Sequence, residues 1–200
     1  WEDAEKMLRQ AIYVQKEIGD YYTLAGSWTN LGLLSRDKGE YEEALVCMEE
    51  AVRILPKHNF PLTATYTFYI NRGSVNISRG SYSEAIADLE KSLMGAKEEE
   101  DDDLIGLIKC YLSESHRKNG NTQKAREYFE DVQLNPPSLK EYLAEYHRIS
   151  AHQFREVGQF DLALKVNQSA QQLVKEIGNQ YELARLLLDE AEIQIAQYRA

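Results

Sequence analysis

Proline is scarce in this 200-residue chain, with four in all, and its two cysteines, Cys47 and Cys110, stand far apart. Few prolines leave long stretches open to helix, because proline removes a backbone donor and clashes with the preceding turn. Lone cysteines argue against a disulfide-stapled domain and against a cysteine-held zinc, both of which need paired spacings. No apolar run approaches the ~20 residues that cross a bilayer. The start, Trp1-Glu2-Asp3, lacks the basic and apolar segments of a secretory signal. Basic residues are outnumbered, 23 against 33 acidic, for a formal charge of −10. That sign speaks against nucleic acid and anionic membranes as partners, since phosphate binding relies on Lys and Arg displacing counterions. A cytoplasmic, reducing setting is the simplest expectation. What the chain does have is Leu, Ala, Glu, Lys, Gln and Tyr in abundance, a balance that favours helix.

Four glycines give that helix a period. Gly39, Gly80, Gly120 and Gly158 recur at intervals of 41, 40 and 38 residues. Seven residues before each stands a small residue (Gly32, Gly73, Ser113, Ala151), and five after each stands Ala44, Ala85, Ala125 or Ala163. Two residues after stand Tyr41, Tyr82, Thr122 and Phe160. A period near 40 with small residues at two phases predicts stacked helical hairpins. Each glycine closes a first helix in the left-handed conformation, and each small pair lets antiparallel backbones approach. The repeats fall at about 25–58, 66–99, 106–139 and 144–177, with Pro56 stopping the first return helix. A partial repeat, 1–18, matches a return helix, and another, 184–200, matches a first helix. Glu17-Ile18-Gly19-Asp20 and Glu176-Ile177-Gly178-Asn179 repeat almost unchanged 159 residues apart, four periods on.

Trp28, Leu31, Gly32, Ala44, Ala51 and Pro56 resemble the tetratricopeptide repeat in identity and spacing, and the resemblance covers essentially the whole chain. It implies an all-α, right-handed α-solenoid of about ten helices in a single domain. The common repeat has 34 residues; here the extra ones fall between hairpins, at Asn59–Thr65, Glu100–Ile105 and Lys140–Leu143, and should lengthen the helices. Long repeats of this kind are similar to those of kinesin light chain, spindle-orientation adaptors and bacterial signalling regulators. Hairpins cut at both ends suggest a fragment of a larger protein, with Leu187, Leu188, Ala191 and Ile195 exposed on the last helix.

In this family the first helix of each hairpin lines the concave groove. By register the partner-facing stripe is Thr29, Asn30, Leu33 and Arg36, then Ile70, Asn71, Ser74 and Ile77. It continues with Leu107, Cys110, Glu114 and Arg117, then Glu145, Arg148, His152 and Arg155, changing from neutral to charged. Asn30 and Asn71 are equivalent; such a pair either bonds the main chain of an extended peptide or bonds the neighbouring helix. The carboxylate clamp of chaperone-tail binders is not matched, because Asn71 alone fits its pattern.

Other features carry less. Glu98–Asp103, six acids in a row, lacks the alternation and glycine of a calcium loop and reads as a solvated connection favouring the next helix start. His147 and His152, five apart, do not share a helical face as a metal pair would; His116 reads as a packing residue. Cys110 falls on the stripe, where a small apolar filler is its common role. No phosphate loop, nucleophile elbow or zincin helix occurs. The expectation is a non-enzymatic, cofactor-free and metal-free protein–protein interaction scaffold, binding a peptide, a helix or another domain of its own chain. The alternative is the sensor segment of a multidomain bacterial transcription regulator or kinase. Self-association through the terminal helices is a third possibility.

Overall fold

The computed structural model describes residues 1–54 and 62–200. Among these residues are ten α-helices and no strand: α1 (Glu2–Ile18), α2 (Tyr21–Asp37), α3 (Tyr41–Ile54), α4 (Leu62–Arg79), α5 (Tyr82–Glu98), α6 (Asp102–Lys118), α7 (Thr122–Leu134), α8 (Lys140–Glu156), α9 (Phe160–Ile177) and α10 (Gln180–Arg199). The architecture is an all-α helical repeat solenoid, divided into two compact units. The first comprises Trp1–Glu100 with Ser115–Thr122; the second comprises Asp101–Glu114 with Gln123–Ala200. The extra residues of the long repeat are helical at Thr63–Thr65, Asp102–Ile105 and Lys140–Leu143. Pro56 and Asn59–Pro61, to which a helix stop and a further extension were assigned, lie outside the described residues.

One turn chemistry closes the helices. Gly39 has φ +81°, Gly80 +87°, Gly120 +84° and Gly158 +76°, the left-handed region that glycine enters without strain. At Gly39 the following N–H, that of Glu40, donates to the Ser35 carbonyl at 2.8 Å while Gly39 N–H donates to Arg36 at 2.9 Å. These two bonds satisfy the carbonyls that a helix end leaves open. The repeated tetrapeptides behave alike. Asp20 Oδ1 accepts from Thr23 N–H at 3.2 Å and Asn179 Oδ1 from Glu182 N–H at 3.1 Å, each starting a helix after a left-handed glycine. Such a cap contributes about 1 kcal/mol.

In the first unit α2 lies against α3 through Gly32. A Cβ there would stand 3.0 Å from the Ala44 carbonyl and 2.9 Å from Met48 Cε, so a larger residue would push the helices apart. Ile12, Leu24, Leu31 and Cys47 form the core between α1, α2 and α3, flanked by Trp28 and Leu34. The α4–α5 hairpin adds a charge clamp: Arg72 donates to both oxygens of the buried Asp88, at 2.8 and 2.6 Å. At its other end the Tyr66 ring covers Gly95, where a Cβ would sit 1.7 Å from the ring.

In the second unit the small position of α6 is a serine, and its hydroxyl is used. Ser113 Oγ donates to the Ala125 carbonyl at 2.8 Å, the counterpart of the Ala44 carbonyl facing Gly32. Gly106 lies under Pro137, and Asp103 accepts from Leu139 N–H at 3.2 Å and from the Ser138 hydroxyl at 2.9 Å. Asp101 caps α6 by accepting from Leu104 N–H at 3.0 Å. Two carboxylates of the acidic run thus hold backbone. The α8–α9–α10 core is built on Ala144, Ala170, Val174 and Leu186 and on Ala151, Ala163 and Ile193, with Phe154 and Phe160 packed on the latter. On α10, Leu187, Leu188 and Ile195 are exposed.

Candidate functional site

The residues at one register position of the first helices, Thr29, Ile70, Cys110 and Arg148, are all buried. They belong to packed seams. Thr29 Oγ1 donates to the Ala25 carbonyl at 3.0 Å, satisfying its hydroxyl inside the helix, and Cys110 packs against Val132 and Ile149. Ser74 and Glu114 are buried as well. The sequence placed these six on an open stripe because helical periodicity gives a face but not the width of the neighbour covering it.

In the first unit the accessible part of the stripe is small. Asn30 is exposed, while Leu33, Arg36, Asn71 and Ile77 are half-buried. Arg36 is held by Asp37 at 2.7 and 2.8 Å and donates to Ser74 Oγ at 3.2 Å. Ser74 Oγ donates in turn to the Asn71 carbonyl at 2.8 Å. This face is polar but mostly self-satisfied.

The second unit gathers charge instead. Arg148 donates twice to Glu145, at 2.7 and 2.8 Å, and reaches Glu114 at 3.4 Å, the three side chains being almost wholly buried. His152 places Nε2 3.1 Å from Asp189 and Nδ1 3.6 Å from Glu114. Burial works against every one of these charges, and the partners outweigh it. Glu145 is held below, and Arg148 well above, its ordinary value by their mutual attraction. His152 is raised by Asp189 and Glu114, and Asp189 is lowered by His152. Further along α10, Gln171 of α9 bridges Asn167 at 2.7 Å and Glu190 at 2.8 Å. Arg155 pairs with Glu192 at 2.6 Å. Arg117, in the last turn of α6 and part of the first unit, is half-buried.

Beside this network lies a cavity of about 240 Å³ within the second unit. Leu107 and Tyr111 of α6, Tyr142 and Ala144 of α8, Val174 and Ile177 of α9 and Leu186 of α10 form apolar and aromatic walls. Glu141, Glu145, Arg148, Asn179 and Glu182 supply its polar groups. Three first helices, α6, α8 and α10, therefore meet at one concave site. Of the residues expected to face a partner, Leu107, Glu145 and Arg148 line it. Tyr142, Glu182 and Asp189 were not anticipated. Arg148 and His152, two cationic side chains at positions filled by neutral residues in the first repeat, were the signal that carboxylates had to stand opposite.

The cysteines are inert packing groups. Burial raises the Cys47 thiol to about 11 and pushes Cys110 up further, with Glu145 and Glu114 adding to it. His116 is buried, and His147 is half-buried with its pKa lowered by desolvation. Among the described residues no group of three or more His, Cys, Asp or Glu side chains is placed to hold a metal ion, and no helix is long and apolar enough to cross a membrane.

Two tetratricopeptide repeat profiles match the chain, over residues 25–58 and 66–94. No curated protein matches it in sequence. Solved structures share its fold at low identity. The apo form of the quorum sensor NprR from B. thuringiensis superposes with TM-score 0.64 at 16% identity, over 97% of this chain and 57% of that one. A signal transduction ATPase with numerous domains from Pyrococcus horikoshii, which carries a tetratricopeptide repeat sensor, gives 0.61 at 16%, over 94% and 30%. A putative kinesin light chain from P. anserina with nearly identical repeats gives 0.52 at 19%, over 86% and 89%.

Proposed function

We propose that the chain, two stretches of which match tetratricopeptide repeat profiles, is a non-enzymatic interaction scaffold that holds a peptide or helix of a partner, or another segment of its own full-length chain. Repeats of this family generally mediate contacts between proteins. The observation that carries the reading is the cavity where α6, α8 and α10 meet, with aromatic and aliphatic walls around a few fixed polar groups. That mixture suits an anchoring side chain, since apolar walls supply affinity and oriented polar groups supply selectivity. In the first unit Asn30, Leu33, Asn71 and Ile77 offer an accessible polar-apolar strip on α2 and α4. The Glu145–Arg148 pair suits recognition, because each group stabilises the other's charged form and so holds a fixed charge at the wall.

Selection of random decapeptides displayed on phage, followed by calorimetric titration of the best binder, tests this. Tyr142→Ala should weaken binding at least about tenfold, the scale of an interface anchor, with an unchanged melting temperature. Equal affinity for the variant would remove the cavity from the account.

A second reading is that the chain is the sensor segment of a larger regulator. It is supported by the similarity in fold to NprR and to the sensor-bearing ATPase, of which this chain spans 57% and 30%. The sequence flanking this segment in its gene decides: a DNA-binding, ATPase or kinase domain supports the reading, and a stand-alone repeat protein refutes it.

A further inference from the structure

We propose that the cavity of the second unit selects a basic side chain, lysine or arginine, presented by a partner peptide. This rests on the scaffold reading and names the chemistry of its ligand.

Size comes first. At about 240 Å³ the cavity is smaller than the roughly 300–1,000 Å³ that encloses a drug-sized molecule. It suits one side chain. Its walls then match the stem of such a chain: Leu107, Val174, Ile177 and Leu186 are aliphatic. Lysine and arginine bury their methylene stems on surfaces of this kind while the head seeks a polar partner. Tyr111 and Tyr142 add two aromatic rings, whose faces attract a cation.

Charge decides the sign. The lining contributes three carboxylates, Glu141, Glu145 and Glu182, against one guanidinium, Arg148. Counting the groups that pair with them, Glu114 and Arg185, leaves the same excess of two negative charges. The field is felt at the wall: the Tyr142 hydroxyl is raised first by burial and then by Asp101, Asp103 and Glu141.

The cavity's one guanidinium is already engaged and offers little to an anionic ligand. Arg148 already gives two bonds to Glu145 and a third to Glu114. The first turn of α10, which by itself would draw an anion, has Glu182 N–H bonded to Asn179 and carries the Glu182 carboxylate. A carboxylate or phosphate entering here would have to displace a buried ion pair. A cation adds to the network without breaking it, and Glu141, exposed, is placed to receive it.

The test uses the phage-selected peptide and its analogues, titrated against the whole chain at low and high salt. Replacing the anchoring lysine by norleucine keeps the stem and removes the charge. A loss of about thirtyfold is expected, the scale of a desolvated cation over an aromatic ring. Glu141→Gln should weaken the lysine peptide about threefold and leave the norleucine peptide unchanged, an exposed charge pair being worth under about 1 kcal/mol. High salt should erase that difference. A selected peptide that needs Tyr142 but binds through a glutamate or an uncharged anchor overturns the basic specificity and leaves the scaffold reading standing. Failure to select any binder, or binding indifferent to Tyr142→Ala, overturns both.

Discussion

The two units place different chemistry at the same register of their first helices. Thr29 and Ile70 in the first unit, like Cys110 in the second, fill a packed seam with neutral side chains; Arg148 takes that position with a charge. Four residues further along each helix, Leu33 and Ser74 give way to Glu114 and His152. Neutral seams satisfy themselves locally, as the Thr29 hydroxyl does on its own helix. A buried arginine cannot. It recruits Glu145 from its own helix and Glu114 from α6, while His152 recruits Asp189 from α10. The second unit is therefore tied across three helices by charge, and the space left beside those long side chains is the cavity. The same hairpin geometry thus carries a site where its seam positions hold large charged side chains in place of neutral ones.

The largest expected effect breaks that contrast at its centre. Arg148→Ala leaves Glu145 buried without its cation, and Glu114 with His152 alone, and should cost about 3–5 kcal/mol, as removal of one partner of a buried pair does. Thr29→Val at the equivalent place in the first unit should cost about 1 kcal/mol, one neutral hydrogen bond. Urea unfolding of the two variants measures both; equal losses would mean that the charge network has no special weight.

Two glycines of the first unit give intermediate and opposite effects. Gly95→Ala drives a methyl into the Tyr66 ring and should destabilise by about 1–3 kcal/mol, the range for overpacking. Gly26→Ala, on α2 with nothing within 4 Å of the new methyl, should stabilise by up to about 1 kcal/mol through helix propensity. Thermal melts of both variants check the pair of signs.

The smallest effect is a pH dependence confined to the second unit. His152 is raised above its ordinary 6.5 against burial by Asp189 and Glu114, with Arg148 opposing. Its contribution is complete below 6.5 and fades as pH rises through the higher folded value. Asp189, lowered from 3.8, contributes fully above that value and loses its share as pH falls through its folded one. Between 3.8 and 6.5 both act. The difference in melting temperature between the native chain and His152→Gln should therefore be greater at about pH 5 than at about pH 8. A difference independent of pH would show that the imidazole acts only by packing.

Hairpins and turns were legible in the sequence because they depend on what is missing from a side chain. Gly32 must lack a Cβ to meet the Ala44 carbonyl, and a left-handed helix end must tolerate positive φ, so the required residue types are few and recur. Ser113 shows the tolerance of that rule, since its hydroxyl bonds the carbonyl it faces. The cavity was harder to see. Tyr142 lies in the extension between hairpins, beyond the 34-residue motif, and Glu182 and Asp189 sit on α10, outside the four full repeats. Periodicity also placed Arg148 correctly on its helix but could not reveal that Glu145 and Glu114 would enclose it.

Recognition on this account is anchored in the second unit's cavity, not on the asparagine strip of the first. Calorimetric titration of one cavity-selected peptide against Tyr142→Ala and against the double variant Asn30→Ala/Asn71→Ala compares them directly. The account predicts a loss of at least about tenfold for Tyr142→Ala and less than about threefold for the asparagine pair. The reverse order, with the asparagine variant losing affinity and Tyr142→Ala keeping it, would contradict it.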